Sequence, residues 1–329
     1  MFTVKFLIIR FSSIGDIVLT TPVIRNLKQQ AEGAEVHFLT KLQYKSILEN
    51  NPYIDKIHTL DKSINDVVLE LRREHFHYVI DLHNNLRTSQ IKLRLLTQAF
   101  SFNKLNIEKW LVVNLKKNKL PQKHIVDRYM ETIRFFIDEN DQKGLDFFIP
   151  DNDAVDLQIF PEEFRNGYVA FAIGAQHATK RLPDTKIISI CRKLKKPVIL
   201  LGDKNDLQVA EKVENEIGSS IYNACGKFNL NQSASLVNQA KIVISHDTGL
   251  MHIAAAFKKQ IISIWGNTIP EFGMYPYLSG EGSEIMEVKG LKCRPCTKIG
   301  FNKCPKKHFR CMNDIDEERI VAIIDEAFN

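Results

Sequence analysis

The sequence contains no apolar run near the roughly 18 residues that a bilayer-crossing helix needs, so an integral membrane protein is not the reading. Six cysteines in 329 residues are too few for a disulfide scaffold. The apolar start MFTVKFLIIRFSSIG is interrupted by Lys5 and Arg10 and no small-residue cleavage site follows. That argues against a signal peptide, for a buried first strand, and for a cytoplasmic setting in which thiols stay reduced. Solenoid repeats and low-complexity tracts are missing too. The turn after the first strand has no GxGxxG, which counts against a dinucleotide-dependent oxidoreductase. A formal charge of +6 says little about partners, and no nucleic acid is expected.

What is there is an alternation of strand and helix signals. Apolar strand candidates at residues 5–10, 35–40, 56–60 and 78–82 are separated by helix-period segments such as 16–30 and 64–75. Residues 87–137 read as consecutive helices, among them 107–119 and 124–137, and the breaker-rich 148–161 reads as a linker. Alternation restarts at 168–173 and continues through 198–201, 221–224, 242–245 and 261–265, before a last helix over 316–328 that opens on acids. The length suits two domains. The fold class expected is α/β, with one Rossmann-like domain over residues 1–155 and a second over 156–329, each built on a parallel sheet covered on both faces.

Two local concentrations stand out. Residues 87–124 carry nine basic side chains against one acid, Glu108, so the rest of the chain is slightly acidic. Lys116 and Lys117 belong to that run. Cys293, Cys296, Cys304 and Cys311 fall in one short stretch, while Cys191 and Cys225 stand alone in apolar segments as core residues. The C-x₂-C start allows a structural zinc on four thiolates; free thiols and disulfides are the other two readings.

In open parallel sheets, ligands bind beyond the C-terminal strand ends. Three such places carry chemistry. After the first strand comes Ser12-Ser13-Ile14-Gly15-Asp16, where Gly15 permits close approach and Asp16 opens a helix whose N-terminus favours an ionised carboxylate. Asp16 reads either as a proton acceptor or as a helix cap. After the first strand of the second domain, Gly174 leads to Thr179-Lys180-Arg181, the hydroxyl and cationic side chains that a diphosphate calls for, or else a solvated basic loop. The third place is Ser245-His246-Asp247-Thr248-Gly249-Leu250-Met251-His252, a strand end and helix start whose N–H groups suit an anion, with Asp247 and Thr248 open to a capping role and His252 to a structural one.

Together RFSSIGDIVLTTPVIRNLK, ATKRLP, SHDTGLMHIAAAF and the stretch LKCRPC to HFRCM resemble glycosyltransferase family 9, the ADP-heptose:lipopolysaccharide heptosyltransferases, and in the cysteine-rich tail its heptosyltransferase II-like members. The resemblance runs over nearly the whole chain. It implies a GT-B fold, two Rossmann-like domains with parallel sheets facing a central cleft, an N-terminal domain for the acceptor and a C-terminal one for the nucleotide sugar. By position it implies Asp16 as general base of an inverting transfer, and Thr179, Lys180, Arg181, Asp247, Thr248, Gly249 and His252 at the donor. Ser13, Gly15, Arg87, Lys116 and Lys117 are expected at the acceptor. The donor implied is ADP-heptose and the acceptor the lipid A and core oligosaccharide, reached by peripheral contact with the inner membrane. Fixed cations make a cofactor unnecessary for catalysis, with magnesium optional. A different nucleotide sugar or acceptor, or a sugar-nucleotide epimerase of the same fold, is the alternative. In place of the aromatic residue that many members carry after the lysine loop, this chain has Leu182 and Pro183.

Overall fold

The computed structural model describes residues 3–61 and 63–329. They fall into two compact units, one comprising the chain up to Leu105 with Lys123–Phe148, the other Asn106–Gln122 with Ile149–Asn329.

In the first unit, strands β1 (Val4–Ile9), β2 (Ala34–Lys41), β3 (Lys56–Leu60), β4 (Tyr78–Asp81) and β5 (Gln98–Ser101) form one sheet in the order β3-β2-β1-β4-β5. Every pairing is parallel. The run Phe6 to Ile9 is apolar on both faces and fully buried, as a central parallel strand must be. Around the sheet lie α1 (Ile14–Val18), α2 (Thr21–Gln30), α3 (Ile64–Arg73) and α4 (Leu86–Leu95). The single helix expected over 16–30 is two, because Pro22 has no N–H to continue the first and sits instead in the opening turn of the second. Buried Arg25 on α2 donates to Asp141 at 2.7 Å and to the Gly144 carbonyl at 2.9 Å, which fastens the end of the unit to its second helix.

Helix α5 (Asn106–Leu115) belongs to the second unit. Val112 packs with Ile269 and Phe272, and the Lys116 ammonium donates to the carbonyls of Cys293 and Pro295 at 3.2 and 2.6 Å. This corrects the simple boundary at residue 155: part of the basic run is anchored by long-range contacts that no local pattern reveals. The chain returns to the first unit with α6 (Ile125–Met130), capped by His124, which accepts from the Val126 N–H. The stretch read as consecutive helices also holds strand β5. Its residues are largely exposed and do not alternate, so pairing with β4 rather than propensity makes it a strand.

The second unit continues with α7 (Glu162–Arg165), β6 (Val169–Ala172), α8 (Asp184–Leu194), β7 (Val198–Leu201), α9 (Leu207–Ile217), β8 (Ile221–Asn223), α10 (Leu230–Gln239), β9 (Ile242–His246), α11 (Gly249–Ala256), β10 (Ile261–Trp265), β11 (Glu284–Glu287), α12 (Arg310–Asn313) and α13 (Glu317–Phe328). Its sheet runs β11-β10-β9-β6-β7-β8, again all parallel. Helix α13 opens on Asp316, whose side chain accepts from the Arg319 N–H. It docks on α8 through Glu317, which meets Lys186 at 2.6 Å, Ser189 at 2.6 Å and Lys193 at 2.8 Å.

Each sheet has one point where strand order reverses, between β1 and β4 in the first and between β6 and β9 in the second. Loops leaving neighbouring strands there diverge to opposite faces and open a crevice. The motif loops after β1, β6 and β9 all stand at these two points.

Candidate active site

At the first reversal point the chain leaves β1 through Arg10 and enters α1 at Ser13. The Asp16 carboxylate is gripped at both oxygens: one lies 2.6 Å from Arg10 Nη2, and the other accepts from the Ser13 hydroxyl at 2.8 Å and the Ser13 N–H at 3.1 Å. The capping role is therefore real, and it is compatible with proton acceptance. Arg10 is itself buried, donating to the Leu82 carbonyl at 2.6 Å, the Tyr129 hydroxyl at 3.0 Å and the Ser12 carbonyl at 2.8 Å. Burial works against its charge, but Asp16 and the surrounding groups hold its pKa above the ordinary value. Its guanidinium thus sets a fixed positive charge against the carboxylate.

His83, just beyond β4, completes this end of the sheet. Its ring packs on Phe11 with centroids 5.0 Å apart, and its buried Nδ1 has no hydrogen-bond partner among the described residues. Burial, then the charges of Arg10 and Lys104, push it down to about 4, so it is neutral at pH 7. Sequence reading passed over Arg10, His83 and Tyr129. The rule about strand ends could have found His83; Tyr129 lies 119 residues from Arg10 and had no such signal.

A cavity of about 820 Å³ opens beside the ends of β2 and β3, where Lys41, Arg87 and Arg94 outnumber Asp61 and Gln43 and Gln90 supply amides. Arg87 was expected at an acceptor site; Lys41 and Arg94 were not singled out. Ser13 and Gly15 lie in the Asp16 turn, with Gly15 buried inside α1. Lys116 and Lys117 sit in the second unit, and Lys116 is bonded to the cysteine-rich segment.

At the second reversal point the loops after β6 and β9 meet directly. Lys180 Nζ lies 2.5 Å from Asp247 Oδ2, and the Thr268 hydroxyl donates to the same oxygen at 3.2 Å. Thr248 is the N-cap of α11, with its hydroxyl 3.2 Å from that of Ser245, and Gly249 opens the helix. His252 is buried within that helix. His246 accepts from the Leu182 N–H at 3.0 Å through Nε2, and burial pushes it down to about 4, so it serves as a neutral brace for the lysine loop.

Two expected donor contacts have other partners. The Thr179 hydroxyl is buried, accepts from the Phe301 N–H at 2.8 Å and donates to the Phe301 carbonyl at 3.1 Å, so it ties the loop to the cysteine-rich segment. Arg181 donates to the Ala175 carbonyl at 2.5 Å and lies 3.2 Å from Asp206. Asp206 fills the floor beneath the loop, where a Cβ on Gly174 or on Gly202 would collide with its carboxylate. That close approach, rather than an unusual backbone angle, is why glycine stands at both positions.

The cysteine-rich segment wraps the same loops. Cys296 N–H donates to the Asn267 carbonyl at 3.0 Å, and Arg294 donates to the Thr268 carbonyl at 2.8 Å while pairing with Glu287 at 2.7 Å. All six cysteines are free. Burial, then Cys293, raises the Cys296 thiol to about 11, and burial raises Cys311 to about 12. Among the described residues, three ligand atoms come within 4.8 Å of one another at His37, His58 and Glu74, and not among these thiols. The other three thiols nevertheless lie near enough to Cys311 to raise it further.

The sequence model of "Glycosyltransferase family 9 (heptosyltransferase)" matches residues 65–302. A "Lipopolysaccharide heptosyltransferase 1" from Campylobacter coli is 25% identical over 349 residues, covering 98% of this chain and 99% of the relative. A solved glycosyl transferase family 9 structure from Veillonella parvula DSM 2008 superposes with a TM-score of 0.79 at 20% identity, covering 98% and 96% of the two chains. The E. coli ADP-heptose LPS heptosyltransferase II superposes with a TM-score of 0.73 at 16% identity, covering 98% of each.

Proposed function

The chain belongs to glycosyltransferase family 9 (heptosyltransferase), and from that premise we propose that it moves a heptose from ADP-heptose to the inner core of a lipopolysaccharide, with inversion at the anomeric carbon. The names of the relatives support the sugar and the pathway. The observation that carries the reading is the pair of ion pairs at the two reversal points: the Asp16 carboxylate held by Arg10, and the Lys180 ammonium held by Asp247.

In the step we assign, an acceptor hydroxyl attacks the anomeric carbon and gives its proton to Asp16. A new C–O bond forms as the bond to the β-phosphate oxygen breaks, and ADP leaves with the electron pair. General-base help of this kind contributes typically 10²–10⁴-fold. The leaving diphosphate is met by Lys180 and by the N–H groups that open α11 at Gly249. Lys180 reaches it by exchanging Asp247 for phosphate, which a flexible four-carbon stem permits. No metal is assigned to the step, since these charges are built into the chain. The cationic cavity of Lys41, Arg87 and Arg94 takes an anionic group of the acceptor.

Among the described residues no helix is long and apolar enough to cross a membrane. Helix α5 nevertheless exposes Ile107, Trp110 and Leu115 among lysines, and we assign this face to peripheral contact with an anionic lipid surface. The transfer reading is tested by ADP release from ADP-heptose with and without a heptose-deficient lipid acceptor. Acceptor-dependent release supports it. Turnover without acceptor, or only with a UDP- or GDP-sugar, replaces it with another activity.

A further inference from the structure

Away from both reversal points, the first unit buries two histidines side by side. His37 on β2 and His58 on β3 are each 1% exposed, and both rings pack against Phe76. His37 Nδ1 lies 2.9 Å from His58 Nε2. The outer nitrogen of each ring faces a carboxylate: His37 Nε2 lies 2.7 Å from Glu35, and His58 Nδ1 lies 2.5 Å from Glu70 on α3. A carboxylate takes the N–H of each imidazole, which leaves each inner nitrogen with a bare lone pair. Two lone pairs cannot face one another at 2.9 Å unless a cation lies between them.

The arrangement repeats what fixes histidines in metal centres, where a carboxylate orients the ring by accepting its second N–H and an apolar surround limits solvent. A third ligand atom stands ready, because a Glu74 carboxylate oxygen and one ring nitrogen of each histidine all lie within 4.8 Å of one another. Glu74 meets Lys5 at 3.1 Å through one oxygen and Lys56 at 2.5 Å through the other. Each carboxylate oxygen has a second lone pair, so these contacts leave it able to bind a metal. Two imidazoles and a carboxylate suit a borderline divalent ion, and zinc–nitrogen bonds of about 2.0–2.1 Å require the facing nitrogens to separate by only a few tenths of an ångström.

The geometry points to a zinc-binding site formed by His37, His58 and Glu74, with water completing the tetrahedron, that staples β2 and β3 to the residue closing α3. Lys41 and Leu60, which line the cationic cavity, end the two strands that carry the histidines, so the staple holds the strands at whose ends that cavity opens.

The test is zinc content per chain after equilibration with zinc and gel filtration, on the full chain and on His58→Gln, Glu74→Gln and Cys293→Ser/Cys296→Ser. The cysteine variant separates this site from the thiols. We expect one zinc per chain that persists in the cysteine variant, is lost in His58→Gln and is held at least tenfold more weakly in Glu74→Gln. Cobalt loaded into the cysteine variant should give a visible spectrum without a thiolate charge-transfer band. Should His58→Gln fail to fold, Glu74→Gln, altered at a partly exposed side chain, decides the matter. Zinc that disappears with the cysteines, zinc indifferent to Glu74→Gln, or no zinc bound at all overturns the proposal and leaves a shared proton between the rings.

Discussion

The two reversal points hold mirror-image ion pairs. At the first, the functional group is the anion: Asp16 is held by a buried arginine with three further acceptors and by both donors of Ser13. At the second it is the cation: Lys180 is held by the carboxylate and the carbonyl of Asp247, on a long flexible stem. In the function we propose, the first geometry is fixed before substrate arrives, which suits a base that must meet a hydroxyl. In that same function the second must be undone, because a diphosphate would take the place of the Asp247 carboxylate. The proposed roles thus pair rigidity with proton transfer and exchangeable pairing with ligand binding and release.

That contrast is broken most sharply at Asp16. Asp16→Asn keeps the shape and loses the proton acceptor, so kcat should fall by about 10²–10⁴-fold while the KM for the nucleotide sugar changes little. Turnover within tenfold of the parent would show that the rigid pair is only a helix cap. Lys180→Ala should lower kcat/KM by about 10–100-fold, the worth of one charge-assisted contact. Because Lys180 acts on donor and leaving group alike, steady-state kinetics should show the loss shared between KM and kcat. A pure kcat effect would mean that the exchangeable pair is as preset as the first.

Arg87→Ala probes the cavity beside the rigid site. The side chain is exposed, so the acceptor KM should rise by only about 2–5-fold, with donor KM unchanged and the effect fading at high salt. An equal rise for both substrates would detach the cavity from the acceptor.

The smallest effect on catalysis is expected from a purely structural pair, Glu317 with Lys186 and Lys193. Burial opposes the Glu317 charge, but Lys186, Lys193 and Ser189 outweigh it and hold the carboxyl at about 2. A folded value below the unfolded one of about 4.3 stabilises the fold above that pH, and the contribution is lost as pH falls toward 2. Glu317→Gln should therefore cost about 1–2 kcal/mol in urea unfolding at pH 7. The gap to the parent should close near pH 2, with kinetics at pH 7 unaltered. A gap that persists in acid would assign the loss to packing.

Much of this was legible because parallel strands buried on both faces leave an apolar run that local reading detects. Residues 56–60, 198–201 and 261–265 coincide with β3, β7 and β10. The loops after β1, β6 and β9 were legible for a related reason: glycine and polar residues crowd the strand ends where ligands bind. Strands β5 and β11 were not read, since edge strands with half-exposed residues carry no such run. Thr179 and Arg181 were assigned to the donor by type, and their partners Phe301 and Asp206 came from distant segments.

The sequence by itself determined the alternation, the doubling of the fold and the position of Asp16, Lys180 and Asp247 just beyond strand ends, because periodicity and turn chemistry act over a few residues. Only the tertiary structure decided that Arg10 grips Asp16, that α5 joins the second unit, that Lys180 rests on Asp247, and that His37 meets His58 across two strands. These depend on strand order and register. A parallel sheet brings residues 20 to 120 positions apart into contact through crossover connections that leave no local trace in the chain.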